Sequence, residues 1–166
     1  MKKLASIVMI VTLLGAGCSS QQEPKAENKP KEVTPQVVDV KPVKLNKALF
    51  LDKIVDYENN PGQWVYKGDL PSVIDFYADW CRPCRITSPI MDELAQEYNG
   101  KIKFYKIDIQ AEQELAAVFG IQSIPAFLFI PKNDKPVMSA GIAATPELTK
   151  QMFREQIDKI LLNKTN

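Results

Sequence analysis

The sequence predicts an α/β domain in which a central mixed β-sheet is flanked by helices on both faces. Three observations carry this expectation. Beyond residue 45, helical and strand-like patterns follow one another in the order α, β, β, α, β, α, β, β, α. One run, Ser72 to Ala78, is apolar on both faces except at Asp75, as a strand in the middle of a sheet is. Helical stretches also lie between the strands, which places cover on both sides of the sheet. A length of 166 residues with 45% hydrophobic content suits one domain of ordinary size rather than two.

Taken in order, Met1-Lys2-Lys3 and the apolar run Leu4 to Gly17 have the charged start and short hydrophobic core of a secretory signal, too short for a typical membrane-spanning helix. Residues 1–17 are therefore expected to be removed. Leu14-Gly15-Ala16-Gly17-Cys18-Ser19-Ser20 resembles the lipobox of bacterial lipoproteins, which implies that Cys18 is acylated and becomes the first residue. Gly15 departs from that pattern, standing where Leu is usual, and plain secretion with a free Cys18 is the alternative reading. Residues 18–44 follow as lipidated Cys18 and a linker rich in Lys, Glu, Gln and Pro without periodicity, expected to be a disordered tether. The folded domain is assigned to residues 45–166.

Within it, Asn46 caps a helix with Leu49, Phe50, Ile54 and Tyr57 on one side, stopping near Asn59-Asn60-Pro61-Gly62. Trp64-Val65-Tyr66 reads as a short strand and Ser72 to Ala78 as the central one. The next helix buries Ile86, Ile90 and Leu94 with Met91, Ala95 and Tyr98; Pro89 kinks it and Asn99-Gly100 ends it. A strand over Ile102 to Ile109, a helix near Glu112 to Phe119 and a strand through Phe127 to Ile130 come next. Lys132 to Lys135 turns the chain into a strand near Val137 to Ser139. Thr145 and Pro146 then open a last helix that buries Leu148, Met152, Ile157, Ile160 and Leu161.

The chemistry concentrates where the central strand ends, at Cys81-Arg82-Pro83-Cys84. A helical pattern starts at once, so Cys81 is expected at a helix N-terminus, where unpaired N–H groups and the macrodipole favour an anion. Such a position, like the C-x-x-C arrangement itself, lowers a cysteine pKa below its free value of about 8.5, and the thiolate is the form that attacks disulfides. Pro83 is tolerated in the first turn because the N–H it lacks would be unpaired there. With three cysteines and no histidine, the four ligands of a structural zinc site are not available beside this pair, so no metal is expected. Of the 21 basic side chains, Lys2 and Lys3 leave with the signal, so 19 face 20 acidic ones; the basic residues are dispersed, which argues against nucleic acid.

From about Leu45 to Leu162 the chain resembles the thioredoxin family. The resemblance rests on Asp75-Phe76-Tyr77-Ala78-Asp79-Trp80-Cys81-Arg82-Pro83-Cys84, on Pro89, and on Gly120-Ile121-Gln122-Ser123-Ile124-Pro125. It implies the thioredoxin fold, a redox-active Cys81–Cys84 disulfide, Cys81 as nucleophile and Cys84 as the resolving thiol. Asp75, an acid in an apolar strand, is expected to have its charged form disfavoured by burial and to exchange a proton with Cys84; a purely structural, hydrogen-bonded Asp75 is the alternative. Lys106 matches the family lysine near that acid. Trp80, Ile109, Ile124, Pro125 in cis and Gly141 are expected to line a substrate groove, where an extended segment pairs beside Ile124. Core packing is the simpler reading of Trp80 and Ile109. Three positions depart from the pattern: Arg82 replaces Gly, Tyr77 replaces Trp, and Ala126 replaces Thr. Arg82 and Pro83 are the expected redox-tuning residues, because a fixed positive charge beside Cys81 favours its thiolate and makes the disulfide more oxidising.

These readings together predict an extracytoplasmic enzyme, a thiol-disulfide oxidoreductase that reduces protein disulfides, without cofactor and as a monomer. Its expected partners are protein disulfide substrates, an upstream dithiol electron donor and, through Cys18, a membrane facing the periplasm or cell envelope. Oxidase or isomerase action from the same residues is the nearest alternative, and a non-catalytic binding or chaperone module a more distant one.

Overall fold

The computed structural model describes residues 39–163. The signal segment, Cys18 and the linker as far as residue 38 lie outside the described residues.

A five-stranded sheet is built from β1 (Val43–Lys44), β2 (Ser72–Tyr77), β3 (Lys103–Asp108), β4 (Ala126–Ile130) and β5 (Val137–Ala140), in the order β1-β3-β2-β4-β5. The pairs β1·β3 and β2·β3 are parallel, whereas β4 runs antiparallel to both β2 and β5. This is the mixed sheet expected, and its central strand is the apolar run read from sequence. Four helices cover it: α1 (Lys47–Lys53), α2 (Arg82–Glu97), α3 (Gln113–Val118) and α4 (Pro146–Gln156), the last continuing as a π-helical stretch over Ile157–Leu161.

Alternation along β2 divides the core in two. Val73 joins Phe104, Phe127 and Phe129 in meeting α2 and α4, where Phe153 packs edge-on against Phe127 with ring centroids 4.6 Å apart. Ile74 and Phe76 point the other way, into a core with Phe50 of α1 and Leu115 of α3. Local signals start the helices as expected: Asn46 Oδ1 accepts from the Leu49 N–H at 2.9 Å and Thr145 Oγ1 from the Leu148 N–H at 3.2 Å. Pro89 lies inside α2, and Gly100, at φ +75°, supplies the left-handed residue after that helix.

Several expectations are corrected. Val43–Lys44, assigned to the linker, pair with Tyr105 and Lys106 of β3, and the domain boundary moves before them. Trp64-Val65-Tyr66 form no strand; the Tyr66 hydroxyl instead donates to the Leu70 carbonyl at 2.7 Å, and the Trp64 and Tyr66 side chains pack against the second core. The first helix ends at Lys53, so Tyr57 lies in the turn beyond it. Ile86 and Leu148, expected inside, are 38% and 49% exposed. Along α4 and its π-helical continuation the inward row is Thr149, Phe153, Ile157 and Leu161, at four-residue spacing, which turns Leu148 to solvent.

Candidate active site

Where β2 ends, the Cys81 N–H donates to the Ala78 carbonyl at 3.0 Å, turning the chain directly into α2. Cys81 is the N-cap of that helix: its Sγ accepts from the Cys84 N–H at 3.2 Å and its carbonyl from the Arg85 N–H at 3.2 Å. A sulfur thus does what a serine oxygen does at most helix starts. Cys81 and Cys84 form a disulfide that spans this first turn. Both cysteines are buried, 3% and 4% exposed, so accessibility does not distinguish them. Helix position does, because only the Cys81 sulfur receives a backbone N–H in the first turn.

The opposite wall comes from two loops. The Ile124–Pro125 peptide is cis, and Ile124 packs with Ile109 and Tyr77 against Ala78, Cys81 and Cys84. The Pro125 carbonyl accepts from the Gly141 N–H at 3.0 Å. Gly141 has φ +84°, a conformation that other residues adopt only with strain. Ile109 is held by its N–H, which donates to the Tyr77 carbonyl at 2.9 Å. The fold therefore brings Cys81, Cys84, Ile109, Ile124, Pro125 and Gly141 together. Trp80 stands apart from the cluster on the disulfide, 63% exposed beside it in sequence, so it is not a core residue. Arg82 and Pro83 are both exposed in the first turn of α2.

Asp75 lies on the sheet face that α2 covers, between Lys106 of β3 and Phe127 of β4. It is 5% exposed, and its Oδ1 has no hydrogen-bond partner in the protein. The hydrogen-bonded structural reading of this carboxylate therefore finds no support at that atom. Burial pushes its carboxyl up to about 7, with the positive charge of Lys106 opposing the rise. Lys106 is half-buried, its Nζ 5.7 Å from the centroid of the Tyr77 ring.

Sequence reasoning missed the surroundings of that ring. Tyr77 is opposite Asp108 in the β2·β3 register, and Lys44 of β1 reaches Asp108 at 3.6 Å. Burial raises the Tyr77 phenol while Lys44 draws it down. No sequence signal marks this group, because it depends on the register of three strands. Thr87, fully buried, donates through Oγ1 to the Cys84 carbonyl at 3.1 Å and ties the second cysteine to the next turn of α2; its spacing of three from Cys84 was a usable signal. A cavity of about 520 Å³ lies at the other end of the sheet, lined by Val43, Lys67, Asn99 and Lys103, and contains neither cysteine nor Asp75.

A cystine at a helix N-terminus, a buried carboxyl near neutrality and an apolar wall beside the sulfurs together suit disulfide exchange. Residues 54–156 match the family model described as Thioredoxin. The chain is 43% identical over 99 residues to a thioredoxin of Borreliella burgdorferi, covering 60% of this chain and 84% of that protein. It is 40% identical over 94 residues to thioredoxin 1 of a Nostoc species, covering 57% and 86% respectively. Among solved structures, chloroplastic thioredoxin z superposes with a TM-score of 0.54 at 22% identity, over 70% of this chain and 94% of that one, a likeness of fold.

Proposed function

Because the chain belongs to the thioredoxin family of thiol-disulfide oxidoreductases, we propose that it reduces protein disulfides outside the cytoplasm, tethered to a membrane through Cys18. The observation that carries the catalytic part is the Cys81–Cys84 disulfide closing the first turn of α2 with Cys81 as the cap.

In the reduced enzyme the Cys81 thiolate attacks one sulfur of a substrate disulfide. A Cys81–substrate disulfide forms, and the other substrate sulfur leaves as a thiolate that takes a proton from solvent. Cys84 then gives its proton to the Asp75 carboxylate and attacks the Cys81 sulfur, which releases the second substrate thiolate. The substrate gains two electrons and the enzyme becomes the cystine form. A dithiol donor returns those electrons. Lys106 opposes the rise of Asp75 and so keeps a fraction of it ionised near neutral pH, able to accept the proton. Trp80, Ile109, Ile124, Pro125 and Gly141 border the groove, with the Ile124 backbone available to an extended substrate. Arg82 adds a positive charge beside Cys81, and Pro83 shapes the turn between the cysteines.

The location rests on the sequence: the charged start, the apolar run to Gly17 and the cysteine that follows. A dithiol there works among proteins that form and rearrange disulfides. Replacing Cys84 with Ser in cells traps partners on Cys81, and equilibration of the intact enzyme with glutathione gives its potential. A value near about −270 mV marks a reductase, and one near about −120 to −180 mV an oxidase or isomerase. Failure to trap any partner, with no reduction of a disulfide substrate, overturns the enzymatic role. Incorporation of labelled fatty acid, lost on Cys18→Ser, tests the anchor.

A further inference from the structure

Positive charge gathers where α2 begins, beside the disulfide. The first turn of α2 holds no acidic residue; it holds Arg82 and Arg85 instead, three positions apart and both exposed. Like charges at that spacing repel, and the positive end of a helix dipole disfavours them further. Neither arginine has an ion-pair or side-chain hydrogen-bond partner among the described residues. The domain's third arginine, Arg154, by contrast grips Glu97 through two nitrogens, although Lys101, Lys103 and Lys135 also have no ion pair among the described residues.

Across from them, Asp108 at the end of β3 is already paired with Lys44. Residues 109–111, 120–125 and 141–144, which supply the facing loops, contain no charged side chain. Asp79, exposed before Trp80, is the one carboxylate adjoining the disulfide turn in sequence. Trp80 and Ile86 expose apolar surface, 63% and 38%, on either side of the cysteines. Two unpaired guanidiniums, unfavourable within the protein, next to exposed apolar surface at a groove that must receive another chain, gain a partner only when that chain brings carboxylates.

Resting on the disulfide-exchange reading above, we propose that this site selects protein substrates whose reducible cystine is flanked by Asp or Glu, contacted by Arg82 and Arg85. The arginines set the substrate class while the sulfurs carry the exchange. Acidic segments are drawn in by the field and held at the α2 side of the groove, and basic segments are turned away.

The test compares three disulfide peptides, identical except for Glu, Gln or Lys beside the cystine. They are reduced by the full-length dithiol enzyme, and each rate is divided by that for dithiothreitol, which removes the intrinsic effect of the flanking charge. The Glu peptide is expected to react roughly tenfold faster than the Lys peptide at low ionic strength, the strength of two exposed ion pairs. In about 0.5 M salt that ratio falls toward one. Arg85→Gln lowers the ratio by about threefold. Arg85→Lys retains it, which separates charge from a folding defect, and Arg82→Gln is read by the same ratio because a change in Cys81 reactivity cancels from it. A ratio at or below one, or one that Arg85→Gln leaves unchanged, overturns the proposal while reduction of the Gln peptide keeps the oxidoreductase reading intact. Loss of Gln-peptide reduction by the wild-type enzyme overturns both.

Discussion

Asp75→Asn in the disulfide form gives the most direct measure of the charge placed under the active site. The carboxyl rises from its ordinary 3.8 to about 7 because burial disfavours the anion. Between those two values the folded protein holds a proton that the unfolded chain has released, so folding stability falls as the pH rises through that window. Below pH about 3 the cost is absent; by pH 8 it reaches roughly 4 kcal/mol, and at pH 5 about 1 to 2 kcal/mol. Asparagine carries no charge at either pH, and its own burial cost is the same at both. Urea unfolding followed by circular dichroism at pH 5 and pH 8 is therefore expected to show Asp75→Asn gaining about 2 to 3 kcal/mol more, relative to wild type, at pH 8. A stability difference equal at the two pH values to within about 0.5 kcal/mol refutes the buried-charge account.

Three further outcomes follow from the same structure. Lys106→Met removes the charge that opposes the rise of Asp75, so the carboxyl moves above about 7; a carboxyl-carbon NMR titration that shows no change or a fall contradicts this. Phe153→Ala empties the space against Phe127 and costs about 3 to 5 kcal/mol in urea unfolding, whereas a loss under about 1 kcal/mol means the site collapses freely. At Gly141 an added Cβ meets no atom within 4 Å, so Gly141→Ala acts through its φ of +84° alone. It is expected to cost about 1 to 2 kcal/mol and to slow substrate reduction by displacing the Pro125 anchor; a variant unchanged in both measurements shows that the left-handed backbone is not required.

Much of the domain is legible because its signals are local. Asn46, Thr145 and Cys81 each cap a helix with a side chain next to the turn they serve, and Ser72 to Tyr77 announces itself by a run that is apolar on both faces but for Asp75. What escaped depends on partners distant in sequence. Val43–Lys44 is a strand only because β3 lies beside it, and two residues show no period. Trp64 to Tyr66 has strand-like composition but no neighbour to pair with, which shows how far such preference depends on context. The outward turn of Ile86 and Leu148 reflects where the sheet meets each helix, a quantity absent from a hydrophobic count. Within the site, Cys81, Cys84 and Asp75 could be picked out by residue type and spacing, and Pro125 by the family resemblance. The contact of Lys44 with Asp108 beside Tyr77 could not, since it arises from a register across three strands.

The direction of β1 has a mechanical consequence. It runs parallel to β3, and β3 parallel to β2, so all three strands point their carboxyl ends toward the pole that holds the disulfide. The chain enters β1 from the opposite pole, past Val40 and Lys41, beside the residues that open β3. A pull applied at Asp39 is thus taken up by a two-residue edge strand, and it draws on the domain from behind. The central strand, the cis-proline loop and the first turn of α2 lie off that line of force.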